Sequence, residues 1–313
     1  MNQERFLLIK SWACGFWSAM EHVAGALLIA ELTERIPVIF WGADSLYASE
    51  DPQNKDAFAM YYQPINHYTI DDVEKDHYTY FPERWNRHNL RFSHLMDISD
   101  LNDVPGNFFN RTEQVLVTNV HIALHYFRHL IPEDHPTYGM EHHDVYRYLF
   151  QKYFKLQPDV EEEINRFYES NMSDHGPWLG VHIRGTDKIM ERPLLYQLNA
   201  NYPERINDFL ERNPSGHIFM LTDSEQILRK FQARFGDRIL NTDCLRSPDD
   251  MLSVHHHMTG YEGRRKGIEI LKDTYLAARC DQFLGASFSN VSIAVLRLKS
   301  WANDEIHLVA DQF

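Results

Sequence analysis

Cysteine, positive charge and long apolar runs are all scarce in this chain, and each shortage removes a class of protein. Cys14, Cys244 and Cys280 are the three cysteines among 313 residues. An odd, widely spaced set makes no disulfide framework and points to a reducing compartment. Lysine and arginine number 31 against 45 aspartates and glutamates, a formal charge of −14. That balance argues against a nucleic-acid backbone or an anionic membrane as the main partner. The apolar stretch Val23–Ala30, interrupted by Gly25, is far shorter than the roughly 20 residues a spanning helix needs. Met1-Asn2-Gln3-Glu4-Arg5 places no basic cluster ahead of a clean apolar run, so no secretory signal is expected and the expected location is cytoplasmic. Walker-type, Gly-x-Ser-x-Gly and Cys-x2-Cys elements are missing too. His255-His256-His257 are consecutive and do not converge on one ion, so no metal is expected.

What remains is a globular composition, 43% hydrophobic, long enough for two domains of about 150 residues. Phe6–Ile9 reads as a buried strand, Ser11–Ser18 as a loop containing Gly15, and Glu21–Arg35 as a helix with Val23, Leu27, Ile29, Ala30 and Leu32 at helical spacing. Pro37–Trp41 follows as a strand, giving a β-α-β opening. Ser45 to Gly106, rich in Tyr, His, Asp and Asn, reads as an irregular insertion of the kind that contacts a substrate. A strand at Val115–Thr118 and a helix at Val145–Phe154 complete this half. The expected boundary lies near Pro158, dividing the chain into 1–157 and 158–313.

Beyond it the alternation is regular. A helix over Glu161–Met172 is followed by strands at Trp178–Ile183, His217–Leu221, Arg238–Leu240 and Gln282–Gly285. Helices over Tyr202–Arg212, Glu225–Phe235, Gly267–Arg279 and Asn290–Leu298 separate and follow them. Such alternation implies an α/β fold with doubly wound, Rossmann-like parallel sheets.

Trp178–Ile183 ends abruptly in Arg184-Gly185-Thr186-Asp187-Lys188. A strand that stops in charge and glycine marks the carboxyl edge of a parallel sheet, where open α/β proteins bind ligands. His182 and Arg184 are two residues apart and share one face of an extended chain. The planar fork of an arginine held there suits a phosphate; a surface turn is the plainer reading. Ser287-Phe288-Ser289-Asn290 lies between a strand and a helix, where backbone N–H groups and hydroxyls form either an anion cradle or an ordinary cap. Thr222-Asp223-Ser224 likewise precedes a helix, where Asp223 can serve as a cap.

The run His182-Ile183-Arg184-Gly185-Thr186-Asp187-Lys188 resembles the first signature of the GDP-fucose-dependent fucosyltransferase superfamily, closest to the His-x-Arg-Arg-Thr-Asp-Lys form of its α1,6 group. Phe219-Met220-Leu221-Thr222-Asp223 is similar to the second signature, and Asp273 to Val291 to the third. The three stand in the family's order and cover roughly residues 175 to 298.

The resemblance implies a GT-B architecture, two Rossmann-like domains facing across a cleft, and inverting transfer of fucose from GDP-fucose to a glycan or glycoconjugate hydroxyl. The N-terminal domain would take the acceptor and the C-terminal domain the donor. No cofactor or metal is implied, because a fixed guanidinium can stabilise the departing diphosphate. By resemblance Arg184 contacts that diphosphate, and His182 and Asp223 read the guanine. Ser287, Phe288 and Ser289 line the phosphates, Asp273 falls within one residue of a family aspartate, and Gly15 lets backbone approach the donor. Gly185 replaces the second arginine, and either Lys188 compensates or the donor chemistry differs. Asp187 and Glu191 are the candidates for the general base by nearness, although Arg192 stands where the α1,6 group has its glutamate. Tyr61, Tyr62, Tyr78, Tyr80 and Trp85 either stack on acceptor sugars or form a hydrophobic cluster. Three rivals stay open: a GDP-sugar-binding protein without catalysis, a glycosyltransferase using a different nucleotide sugar, and another α/β transferase or phosphohydrolase.

Overall fold

The computed structural model describes residues 4–11, 14–51, 56–92, 105–119, 121–186, 188, 192–248, 254 and 262–309. The chain divides into two compact units, Met1–Gln157 with Glu262–Arg264, and Pro158–Tyr261 with Arg265–Phe313.

Unit 1 runs β1 (Phe6–Lys10), α1 (Phe16–Leu32), β2 (Ile36–Phe40), α2 (Ile70–Val73), β3 (Tyr80–Phe81), β4 (Val115–Thr118) and α3 (His142–Tyr153). Its four strands are parallel, in the order β2-β1-β4-β3. Phe6 and Leu8 of β1 pack with Val38, Phe40, Val115 and Val117 on one face, closed by Ile70, Val73, Trp85 and Leu90. Alternation sends Leu7 and Ile9 to the other face. There lies α1, buried along most of its length, with Trp17 stacked on Phe150 of α3 at 5.9 Å between ring centroids. The helix starts at Phe16, earlier than the apolar stripe marks, because Phe16, Trp17, Ala19 and Met20 are buried as well. A helix apolar on nearly every side carries no stripe to read.

Unit 2 runs α4 (Pro158–Asn171), β5 (Trp178–Ile183), α5 (Leu195–Asn199), α6 (Tyr202–Arg212), β6 (His217–Thr222), α7 (Glu225–Phe235), β7 (Ile239–Leu240), α8 (Gly263–Ala278), β8 (Gln282–Ala286), α9 (Asn290–Leu298) and β9 (Ile306–Val309). The parallel order β7-β6-β5-β8-β9 is the Rossmann order, reversing direction between β5 and β8. Leu179, Val181 and Ile183 join Ile218, Met220 and Leu284 against Tyr202, Ile206 and Phe209 of α6 and Leu228 and Phe231 of α7. The opposite face of β5 carries Gly180, where a Cβ would lie 3.0 Å from Phe283 and 3.3 Å from Cys280 Sγ. Both faces are therefore covered, as the long apolar strands require. Local signals frame these elements well. Ser224 Oγ caps α7 by accepting from Ile227 N at 3.1 Å, and Gly236, with φ 56°, ends it.

Pro158, at the expected boundary, opens α4, in keeping with proline's tolerance of the first turn. The strand β9 and the short α5 carry too little periodicity to be read in advance. Among the described residues no helix is long and apolar enough to cross a membrane.

Candidate functional site

The heads of β5 and β8 meet at the reversal point of the unit 2 sheet, the place where an open α/β sheet leaves a crevice for ligands. His182, 4% exposed, sits on the last turn of the β5 pleat. Its Nδ1 lies 2.7 Å from Ser292 Oγ of α9, and that oxygen also accepts from Ala286 N at 3.0 Å. Burial, with Arg184 adding to it and Asp223 opposing, lowers the His182 pKa to about 4, so the ring is neutral at neutral pH. With the Ser292 hydroxyl donating to Nδ1, the ring proton sits on Nε2.

Arg184 begins the turn after β5 and is ion-paired with Asp223 at the end of β6. Asp223 Oδ2 also accepts from Thr186 Oγ1 at 2.7 Å, and Oδ1 from Gly185 N at 2.8 Å. Burial alone pushes the Asp223 carboxyl up, but Arg184, Thr186 and Gly185 together outweigh it and hold the pKa below its ordinary value. Asn199 Nδ2 donates to Arg184 O at 3.0 Å. Thr186 is buried in a left-handed conformation, φ 50°, which a β-branched residue adopts only where its surroundings impose it.

Gly185 has a steric reason. A Cβ there would lie 2.9 Å from Ser224 Cβ and 2.8 Å from Ile227 Cδ1. The position where the α1,6 signature has arginine is filled in this chain by the start of α7. Asp223 is not the cap of that helix; Ser224 is. Nor is its carboxylate an open reader of a base, since both oxygens hold the Arg184–Thr186 turn.

At β8, Ser287 N donates to Val309 O at 2.9 Å and Ser289 N to Ala286 O at 3.1 Å. Ser289 occupies the N-cap position of α9 without a side-chain cap hydrogen bond, and the first turn holds no acidic residue. A helix start of this kind, carrying partial positive charge, favours an anion. Ser287 is exposed and Phe288 half-buried, with the Arg192 guanidinium 5.4 Å from the Phe288 ring centroid. Lys188 is half-buried, its carbonyl accepting from Arg192 N at 2.9 Å. Arg192, read as a lost glutamate, is thereby a cation beside the Ser287–Ser289 turn. Ser292, in the first turn of α9, carried no signal in the sequence.

Asp273 lies on α8, 8% exposed. Its carboxylate accepts from Thr242 Oγ1 and, at 3.3 Å, from Cys244 Sγ, and burial raises its pKa. One turn earlier, Glu269 accepts from Leu245 N at 2.9 Å. The pair anchors the segment after β7, and Asp273 takes no part in the His182–Arg184–Ser289 group. Gly15 belongs to unit 1, where it is the N-cap of α1, its carbonyl accepting from Ser18 N and Ala19 N at 2.9 and 3.0 Å. No atom lies within 4 Å of a Cβ placed on it. Asp187, Glu191 and His255–His257 lie outside the described residues.

The aromatic platform is corrected in part. Tyr61 and Tyr62 are 0% exposed and Trp85 2%, packed with Phe16, Phe58 and Phe154 or against the β1 face. They are core. The exposed aromatics of unit 1 include Tyr126 and Tyr138, 52% and 51% exposed. Among the described residues no group of three or more His, Cys, Asp or Glu is arranged to hold a metal ion.

The sequence matches no protein-family model and no curated relative. Solved structures are similar in fold. NodZ α1,6-fucosyltransferase soaked with GDP-fucose is 22% identical, with TM-score 0.64, over 94% of this chain and 92% of that one. POFUT1 in complex with GDP-fucose is 13% identical, with TM-score 0.57, over 99% and 98%. A mutant of Arabidopsis thaliana FUT1 in complex with GDP is 13% identical, with TM-score 0.58, over 95% and 69%. The chain thus has the two-domain, Rossmann-like GT-B fold of the GDP-fucose-dependent fucosyltransferases.

Proposed function

We propose that this protein is a fucosyltransferase, transferring fucose with inversion from GDP-fucose to a hydroxyl of a glycan or glycoconjugate. One observation carries the reading. Arg184, fixed at the head of β5, and the α9 start without a side-chain cap hydrogen bond, at the head of β8, flank the reversal point of a Rossmann sheet. Solved proteins of the same fold were captured with GDP-fucose or GDP.

In the reaction the acceptor oxygen attacks C1 of the sugar as the bond from C1 to the β-phosphate oxygen breaks. The departing GDP gathers negative charge. Arg184, Lys188 and Arg192 with the α9 amides supply the compensating field, doing what a metal does elsewhere. His182 offers its Nε2–H to the base, and Asp223 acts through Arg184 by holding the turn that presents it. Unit 1 takes the acceptor, in a cell compartment where Cys14, Cys244 and Cys280 stay reduced.

A second reading, a GDP-sugar-binding protein without turnover, draws support from the closed Arg184–Asp223 pair. Two measurements test the proposal. GDP should raise the melting temperature more than ADP, UDP or CDP, since a ligand stabilises the state that binds it. GDP release from GDP-fucose, with a panel of oligosaccharide acceptors, should proceed in EDTA and be abolished by Arg184→Ala. Selective GDP binding with no transfer to any acceptor would leave the binding protein as the answer.

A further inference from the structure

Unit 1 has a reversal point of its own, between β1 and β4, and buried hydrogen-bond donors collect on one side of it. The register of β1 with β4 ends on the pair Ile9 and Thr118, so the next residues along, Lys10 and Asn119, stand side by side. Alternation puts both on the face of Phe6, Leu8, Val115 and Val117, which Trp85 and Leu90 cover. Lys10 and Asn119 are 0% exposed and Trp85 2%. The Lys10 ammonium donates to Leu90 O and lies 5.1 Å from the Trp85 ring centroid and 5.5 Å from that of Phe40. Asn119 Oδ1 accepts from Arg84 Nη2 at 2.9 Å, and the Arg84 guanidinium lies 5.8 Å from the same indole.

This corner is rich in donors and poor in acceptors. Asn119 Nδ2 and Trp85 Nε1 are buried with no hydrogen-bond partner among the described residues. Lys10 keeps N–H groups beyond the one on Leu90 O, and among the described residues no carboxylate forms an ion pair with it. Burial lowers its pKa to about 8, Arg91 adding to the fall while Asp44 and Glu74 oppose it, so the ammonium is charged at neutral pH. A buried donor without a partner is costly, and a buried charge is ordinarily paired. Three such groups on one face, at the edge where a parallel sheet binds its ligands, call for an acceptor. A single buried cation balances a single negative charge, which suits a carboxylate or a sulfate ester better than a dianionic phosphate.

We infer that this corner of unit 1 binds a monoanionic sugar, whose carboxylate or sulfate accepts hydrogen bonds from Lys10, Asn119 and Trp85. The acceptor glycan then carries such a sugar, a uronic acid or a sulfated residue. That step rests on the fucosyltransferase reading, in which unit 1 takes the acceptor; the site itself rests on its donors. On binding, Lys10 exchanges Leu90 O for an oxygen of the ligand. The covering turn, in which Asn89 Nδ2 donates to Arg84 O at 2.8 Å, lifts to admit it. Arg84 is half-buried and brings positive charge towards the surface of a chain whose net charge of −14 repels anions elsewhere.

The test is binding to the full chain, by titration and melting temperature, of disaccharides that differ only in one terminal sugar. The three termini are glucuronate, glucose 6-sulfate and neutral glucose, with inorganic phosphate as a fourth probe. One of the anionic sugars should bind about 10- to 100-fold more tightly than glucose, and which of them does so tells carboxylate from sulfate. Lys10→Met keeps the length of the side chain without its charge and should erase that preference. Asn119→Asp sets a carboxylate of the chain beside Lys10; it should erase the preference and raise the melting temperature, and it serves if Lys10→Met fails to fold. Equal binding of all three sugars, or a preference that survives both variants, overturns the site. Phosphate binding as tightly as the better sugar overturns the assignment to a sugar. Loss of the site beside fucose transfer to neutral acceptors leaves the fucosyltransferase standing, whereas a preference for the anionic sugar with no transfer to any acceptor leaves the site and removes the enzyme.

Discussion

His182 and Ser292 are joined by a 2.7 Å hydrogen bond between residues 110 positions apart, and that bond locks the last pleat of β5 to the first turn of α9. The serine also accepts from Ala286 N, so a single hydroxyl aligns strand, turn and helix around the proposed phosphate site. Ser292→Ala should cost about 1–3 kcal/mol, the price of leaving a buried partner unsatisfied, and weaken GDP binding. Urea unfolding and a GDP titration check both, and a variant as stable as wild type would show that the bond contributes nothing.

Restoring the arginine of the α1,6 signature should harm this protein. At Gly185 a Cβ meets Ser224 Cβ at 2.9 Å and Ile227 Cδ1 at 2.8 Å. Both Gly185→Ala and Gly185→Arg should destabilise by about 1–3 kcal/mol, typical of overpacking, with the added charge giving no gain in GDP affinity. A melting curve and a GDP titration decide; tighter binding by Gly185→Arg would mean the turn opens readily.

Asp223→Asn should loosen the Arg184–Thr186 turn and weaken all nucleoside diphosphates alike, rather than shift preference away from guanine. The sign with pH follows from its lowered pKa. Stability from this carboxylate is complete above the unfolded value of about 3.9 and is lost as pH falls through the lower folded value. Wild type should therefore exceed the variant by about 2–3 kcal/mol at neutral pH, with the margin vanishing in strong acid. Equal stability of the two at pH 7, measured by urea unfolding, would sink the turn-holding role.

Acid should weaken the fold through its buried histidines, before the ordinary carboxylates titrate. Burial lowers His22 to about 3 and His182 to about 4, so between pH 6 and 4 the unfolded chain binds two protons that the folded chain refuses. Asp56, buried and accepting from Trp41 N and Phe58 N, is raised to about 6 and opposes them with one. These three groups alone give a net of one proton and a fall of about 1.4 kcal/mol per pH unit, readable by urea unfolding at pH 6, 5 and 4. The lowered His217 and His307 add to it and the raised Asp273 opposes it. A flat profile would mean one of the histidines is protonated in the native state.

Local signals placed most of the framework of this protein. Strands of branched and aromatic residues, proline near the start of α6, Ser224 and Gly236 bracketing α7, and the charged stop after Ile183 are each legible within a few residues of chain, because turn, cap and strand preferences act at that range. α1 was legible only from Glu21 onward, since a helix buried on nearly every face shows no amphipathic stripe. Tyr61, Tyr62 and Trp85 look like sugar platforms or core with equal justice until burial decides for core.

The sequence by itself determined the alternation of strands and helices and the order of three signature segments, which sufficed for the fold and for the neighbourhood of the proposed donor site. Tertiary structure decided what each side chain there does. Asp223 is 39 residues from Arg184 and His121 is 100 from Glu21, so no pattern of neighbours along the chain predicts those partnerships. Gly185 reads in one dimension as a missing cation and in three as the only residue small enough to pass beside Ser224. The reason is physical: periodicity and caps are fixed by short-range torsional and hydrogen-bonding preferences, whereas ion pairs, close approaches and burial depend on which elements the sheet order makes neighbours.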